Sequence, residues 1–246
     1  MSNSSTGGLP KVAAGGAPDG SPGISAEDLP KKVEGNQDMP ASREPVVFIV
    51  SGPSGSGKST LVHKLLELPS MMFSISCTTR QRRASEQDGK WYNFVTEEEF
   101  AGMAARDEFL EHACVFGRHS YGSPRRWLKE AQAKHLDLVL EIDVQGAAQV
   151  KRKLPGAVAI FIMPPSRQAL EDRLRDRGQD AREEVDRRLA QARQEILSLS
   201  GYYEYLVIND DLERAGREVQ AIALAERCRA SRNGEAVQNI MKTFGG

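Results

Sequence analysis

Apolar residues fall along this chain in two rhythms. Val46-Val47-Phe48-Ile49-Val50 is wholly apolar and mostly β-branched, the pattern of a strand buried on both faces of a parallel sheet. Leu138 to Ile142, Val158 to Met163 and Tyr205 to Ile208 are comparable runs. Between them the period becomes helical. Leu61, Leu65 and Leu68 share one face, and Pro69 stops that helix. Val185, Leu189, Ala192, Ile196 and Leu199 follow the i, i+4, i+7 rhythm, and Leu212, Val219, Ile222 and Ala223 predict a last helix. Strands alternating with helices imply an α/β fold, a parallel sheet flanked by helices.

Two stretches break the alternation. Residues 77–126 hold short alternating runs, Gly89, Gly117 and Gly122, and one small helix, whose start carries the capping-box pair Thr96 and Glu99. They predict an inserted α+β subdomain. Residues 1–44 are rich in Gly, Pro, Ser and Ala and contain no aromatic residue. Such a segment cannot bury enough apolar area to offset its ordering entropy, so a disordered N-terminal tail is expected there. Its single arginine, Arg43, excludes an Arg-rich targeting peptide. The folded domain is placed at 45–230. Residues 231–246 form a C-terminal extension with no assigned element.

Composition narrows the function classes. Lys and Arg number 33 against 34 Asp and Glu, for a net charge of −1. That balance argues against a nucleic-acid partner held by overall charge. No run of about 18 apolar residues predicts a membrane span. No basic start followed by an apolar run predicts a secretory signal. Cys77, Cys114 and Cys228 are widely spaced and odd in number, so neither a disulfide framework nor a zinc site is expected, and the cytoplasm is the expected compartment.

The most specific chemical signal is Gly52-Pro53-Ser54-Gly55-Ser56-Gly57-Lys58-Ser59, which satisfies G-x-x-x-x-G-K-[ST] between an apolar strand and a helix. Glycines let such a loop turn its N–H groups inward around phosphates, and the helix that follows aims its positive end at the same anion. Lys58 is then placed to reach the β- and γ-phosphates of a nucleoside triphosphate, and Ser59 to coordinate Mg²⁺, with Thr60 a weaker neighbour. Ser76-Cys77-Thr78-Thr79-Arg80-Gln81-Arg82-Arg83 follows the next strand. Three arginines within four residues on a loop are a candidate anion clamp.

The blocks beyond are Gly89-Lys90-Trp91-Tyr92-Asn93-Phe94, Glu108-Phe109-Leu110-Glu111, Tyr121-Gly122-Ser123 and Glu141-Ile142-Asp143-Val144-Gln145-Gly146. In this order and spacing, from about Val46 to Arg229, the chain resembles the guanylate kinase family, which phosphorylates GMP with ATP. The resemblance implies the P-loop fold with an inserted monophosphate-binding subdomain and a helical lid at 173–188. It implies ATP and GMP as substrates, Mg²⁺ with the ATP, and a place in purine nucleotide metabolism. It implies that Arg80, Arg83, Tyr92 and Tyr121 take the GMP phosphate, where guanidinium forks and phenols suit a dianion. Glu111 matches the position that accepts from guanine N1–H and N2–H₂, and Ser76 and Ser123 match hydroxyls near the guanine edge. Asp143 matches an acidic residue that orients the acceptor-side arginines near the metal. The family more often has Asp where this chain has Glu141, which puts a direct role for that position in doubt.

The lid completes the set. Arg177 and Arg188 match arginines that meet the ATP phosphates, Arg173 matches one near the adenine, and Asn209 belongs to the adenine-side motif. Lys58, Arg80, Arg177 and Arg188 are the implied catalytic residues, since charge on a transferring phosphoryl is met by delivered cations. Arg182, Arg187 and Arg193 read as surface partners of Glu, and residues 179–184 as a polar mobile link. No general base is needed, because a phosphate dianion is already a nucleophile; His63, His112, His119 and His135 are scattered. Two rivals share the fold. A ribose bisphosphate kinase has no need of Ser76 and Glu111 as a guanine reader. A non-catalytic guanylate-kinase-like binding domain tends to have a degraded phosphate loop. Oligomeric state is open at this level.

Overall fold

A computed structural model of the chain describes residues 43–84, 86–115, 118–176, 182–197, 199 and 201–245. Nine strands and eight α-helices are described. They are β1 Val47–Ser51, α1 Lys58–Leu66, β2 Met71–Phe73, β3 Ser76–Thr78, β4 Tyr92–Phe94, α2 Glu97–Ala105, β5 Phe109–Val115, β6 His119–Pro124 and α3 Arg125–Ala133. Then follow β7 Asp137–Glu141, α4 Val144–Lys153, β8 Val158–Met163, α5 Arg167–Asp176, α6 Arg182–Leu197, β9 Tyr205–Ile208, α7 Leu212–Arg227 and α8 Gly234–Thr243.

The main sheet has the order β2-β7-β1-β8-β9, and every pairing in it is parallel. β1 lies at its centre, between strands that come later in the chain. Its residues alternate between two cores. Phe48 and Val50 pack with Leu61, Val62, Leu65 and Val219 under α1 and α7. Ile49 faces Leu138, Leu140, Ala147 and Val150 beneath α3 and α4. Phe48, Ile49 and Val50 are at most 1% exposed. Each such burial contributes roughly 1.5–3 kcal/mol, which is why this run forms a central strand. Parallel order reversing beside β1 leaves a crevice at the strands' C-terminal ends, where the phosphate loop begins.

The inserted sheet has the order β4-β3-β6-β5, with β3 and β4 parallel and the other pairs antiparallel. Cys77, Phe100 and Phe109 form its small core beneath α2. Thr96 and Glu99 cap α2 reciprocally, as their spacing predicts. Ser76-Cys77-Thr78, read as the start of a loop, is a strand whose residues are all buried; the arginines lie in the loop after it.

Other expectations shift at element ends. Arg43, assigned to the tail, is 5% exposed and pairs with the wholly buried Asp137 at 2.7 Å. Asp137 also accepts from the Val46 amide and from Arg227 of α7, both at 2.7 Å. A buried carboxylate demands such partners, and these lie far apart in the chain. Residues 1–42 lie outside the described residues. Helix α6 is described as Arg182–Leu197, and Leu199 lies outside it, 38% exposed. Arg182, Glu183 and Glu184, read as part of a mobile link, form the first turn of α6, and 177–181 lie outside the described residues. The extension read as featureless contains α8.

Candidate active site

Gly57 caps the start of α1 at φ 92°, a left-handed conformation that glycine adopts without strain. A Cβ there would strike the side-chain amide of Asn209. Asn209, just past β9 and 5% exposed, donates from Nδ2 to the Ser56 carbonyl at 2.8 Å. Arg173 of α5 donates to the Asn209 carbonyl at 2.8 Å. These two residues, implied by resemblance to lie at the adenine, brace the back of the phosphate loop here.

Inside the loop, Lys58 Nζ donates to the carbonyls of Gly52 and Pro53, at 2.8 and 2.9 Å. Ser59 Oγ donates to Glu141 Oε1 at 2.7 Å. Glu141, whose extra length put a direct role in doubt, is thus in contact with the phosphate-loop serine. Its longer side chain spans from the end of β7 to the hydroxyl that follows the loop lysine. Two oxygen donors thus meet beside the phosphate loop, the donor type that Mg²⁺ prefers.

A cleft of about 890 Å³ opens over this loop. Gly52, Ser54, Gly55, Gly57, Lys58 and Ser59 line one side, and Ser76, Arg80, Arg83, Tyr92, Glu111 and Tyr121 of the inserted subdomain another. Glu141, Asp143 and Arg188 also face it. Pro53, Ser56, Thr60, Ser123, Arg173 and Asn209 do not line it. Ser123 stands opposite Glu111 in the β5–β6 ladder, is wholly buried, and donates to Glu111 Oε1 at 2.6 Å. It orients the carboxylate from behind.

Glu111 is 3% exposed. It sits so near the start of α4 that a Cβ on Gly146 would lie 2.5 Å from Oε2. Burial pushes its carboxyl up to about 7; Ser123 counteracts this and the charge of Asp143 reinforces it. A buried carboxylate that lines a cleft favours a ligand bringing N–H donors to it. A base edge with two adjacent N–H donors supplies them.

Arg80 lies over the rings of Tyr92 and Phe94, its guanidinium carbon 5.6 and 5.4 Å from their centroids. Tyr92 and Tyr121 meet edge to face at 5.8 Å. Burial raises the Tyr92 phenol above its ordinary pKa, which keeps it a hydrogen-bond donor. Asp143 caps α4, accepting from the Gly146 amide at 2.7 Å. This bond holds the helix start beside Glu111 while Asp143 also faces the cleft.

On α6, Glu184 accepts from Arg187 at 2.7 and 2.8 Å and from Arg188 at 3.1 Å. Arg187, read as a surface partner of Glu, does pair with Glu184 but also lines the cleft. Gln191 and Glu195 line it as well, with Gln191 donating to Glu195 at 2.7 Å. Positions 184, 187, 188, 191 and 195 recur at three to four residues, a polar helical face that the sequence displays but apolar periodicity does not reveal. Arg177 lies outside the described residues. Among the described residues no cluster of three His, Cys, Asp or Glu could hold a metal, and no helix is long and apolar enough to cross a membrane.

Comparison with known proteins agrees with this geometry. The family model described as guanylate kinase matches residues 43–226. A guanylate kinase of Koribacter versatilis is 54% identical over 189 residues, covering 75% of this chain and 80% of that one. One from Myxococcus xanthus is 47% identical, with 76% and 90% covered. The crystal structure of guanylate kinase from Anaplasma phagocytophilum superposes with a TM-score of 0.64 at 34% identity, covering 78% of this chain and 90% of that one. With a phosphate loop on one wall of the cleft, a buried carboxylate on the other, and the match running through both, this chain belongs to the guanylate kinase family.

Proposed function

We propose that this protein transfers the γ-phosphoryl group of Mg-ATP to GMP, giving ADP and GDP. The observation that carries this reading is the buried Glu111, held by Ser123 and facing the same cleft as Lys58. A sugar bisphosphate offers no paired N–H donors to a buried carboxylate. A binding-only module has no use for Lys58, Ser59 and Glu141 arranged around a phosphate loop.

In the proposed reaction Arg80, Arg83, Tyr92 and Tyr121 hold the acceptor phosphate, and Glu111 with Ser76 reads guanine. Adenine has no N2 amine and carries N6–H₂ where guanine has O6, so it leaves polar groups of the site unmatched. Lys58 exchanges its bonds to the Gly52 and Pro53 carbonyls for β- and γ-phosphate oxygens. Arg188, with Arg177 carried over from the family pattern, neutralises charge on the transferring group. Ser59 and Glu141 are the residues that would hold Mg²⁺, which when bound neutralises phosphate charge. The acceptor dianion attacks without a base. The three unpaired cysteines fit the cytoplasm proposed as its compartment.

A coupled assay of ADP release tests this, with GMP, AMP, CMP, UMP and ribose bisphosphate offered in turn. GMP should be the preferred acceptor by a wide margin. Turnover of ribose bisphosphate in its place, or no turnover of any acceptor, refutes the reading.

A further inference from the structure

The loop between β3 and β4 is wound around one carboxylate that neither the motif pattern nor the reaction above employs. Glu86 Oε2 accepts from Arg80 Nη1 at 2.9 Å, and Oε1 from Arg80 Nη2 at 2.7 Å. Oε2 also accepts from the Arg83 amide at 2.8 Å. The Glu86 carbonyl accepts from Arg82 at 2.6 Å, and its amide donates to the Arg83 carbonyl at 3.1 Å. Glu86 faces the same cleft as Arg80, Arg83 and Tyr121. On charge alone a carboxylate beside a phosphate site is unfavourable, so its presence there calls for an account through its partners.

The donors of Arg80 supply one. A guanidinium has five N–H groups. Two go to Glu86 across the end-on fork, and a third goes from Nη1 to the Gln81 carbonyl at 2.9 Å. Nε and the second Nη2 hydrogen form the other fork, the geometry suited to a phosphate. The Tyr121 hydroxyl is a further partner of the same guanidinium, on the wall where the acceptor phosphate is proposed to sit. Burial pushes the Glu86 carboxyl up, but the Arg80 and Arg83 hydrogen bonds outweigh it and keep the group ionised.

We infer that Glu86 is a positioning residue: it engages one fork of Arg80 so that the other is presented, already oriented, to the phosphate of the acceptor nucleotide. This deepens the function proposed above and rests on it. The opposite role is also chemically clear. A carboxylate that merely occupied Arg80 until substrate arrived would compete with the phosphate, and its removal would tighten binding.

The two roles differ in sign, so Glu86→Gln and Glu86→Ala decide between them. Positioning predicts that KM for GMP rises about tenfold or more in both variants. KM for ATP stays within about twofold, because among the described residues the hydrogen bonds given for Glu86 all stay within the β3–β4 loop. The melting temperature stays within about 2 °C, since the side chain is partly exposed. An unchanged or lowered KM for GMP overturns the inference. So does a rise in both KM values with a fall in melting temperature, which would make Glu86 a loop scaffold. Failure of the wild-type protein to phosphorylate GMP is a separate result, seen before any variant is made, and it overturns the function itself.

Discussion

Glu111 offers the sharpest test of the proposed base-reading wall. Its carboxyl is nearly free of water and titrates near 7, whereas an ordinary glutamate stands at 4.5. Guanine N1–H and N2–H₂ require the carboxylate, so at pH 7 binding must release about half a proton. Below 7 the group has to be deprotonated at a cost that grows with acidity. The free-enzyme profile of kcat/KM for GMP should therefore fall by roughly 30-fold between pH 8.5 and 5.5 through this group alone. The phosphate of GMP also titrates, near about 6, but identically against Glu111→Gln. The ratio of wild type to variant isolates the carboxyl. Glu111→Gln should itself lower kcat/KM for GMP by roughly 10²-fold at pH 8 and leave KM for ATP unchanged. Stability moves the other way. A folded-state pKa raised from 4.5 to about 7 means that the folded protein holds its proton more tightly. Stability is thus lost as pH rises through this window, by about 3 kcal/mol. Denaturant titrations should show Glu111→Gln gaining on the wild type as pH rises from about 4.5 to 7. Parallel pH profiles for the two proteins, in activity and in stability, would falsify the assignment.

Three further outcomes follow from the geometry. Lys58→Ala should lower kcat by roughly 10²-fold or more with little change in melting temperature, because the residue contacts loop carbonyls and the cleft rather than a core; steady-state kinetics and calorimetry check both halves. Asn209→Ala removes the donor to the buried Ser56 carbonyl, so it should cost about 1–3 kcal/mol and raise KM for ATP, with KM for GMP unmoved. Asp137→Ala strands Arg43 and Arg227 at a buried site and should cost about 3–5 kcal/mol, read as a melting temperature lower by about 10 °C, with kinetics at low temperature near wild type.

The strands of the main sheet and the phosphate loop are local facts, and the sequence carries them. A run such as Val46 to Val50 has no polar face to turn outward, so it is a central strand wherever it falls. The loop glycines and the helix start work within a dozen residues. The capping pair of α2 is equally local. Resemblance added which residues are expected around the acceptor, because short blocks in fixed order constrain the chain jointly.

What the chain could not display was decided by contacts between distant residues. Glu141 touches Ser59 across 82 positions, and Asn209 reaches Ser56 across 153, so neither role has a local signature. Arg43 reads as tail until Asp137, buried in β7, requires a cation. Glu86 reads as one acidic residue in a basic loop, and only the fold of that loop turns its carboxylate onto Arg80. Polar side chains at long range are placed by unmet hydrogen-bonding demand in a dry interior. That demand exists only once the apolar rhythm has built the interior.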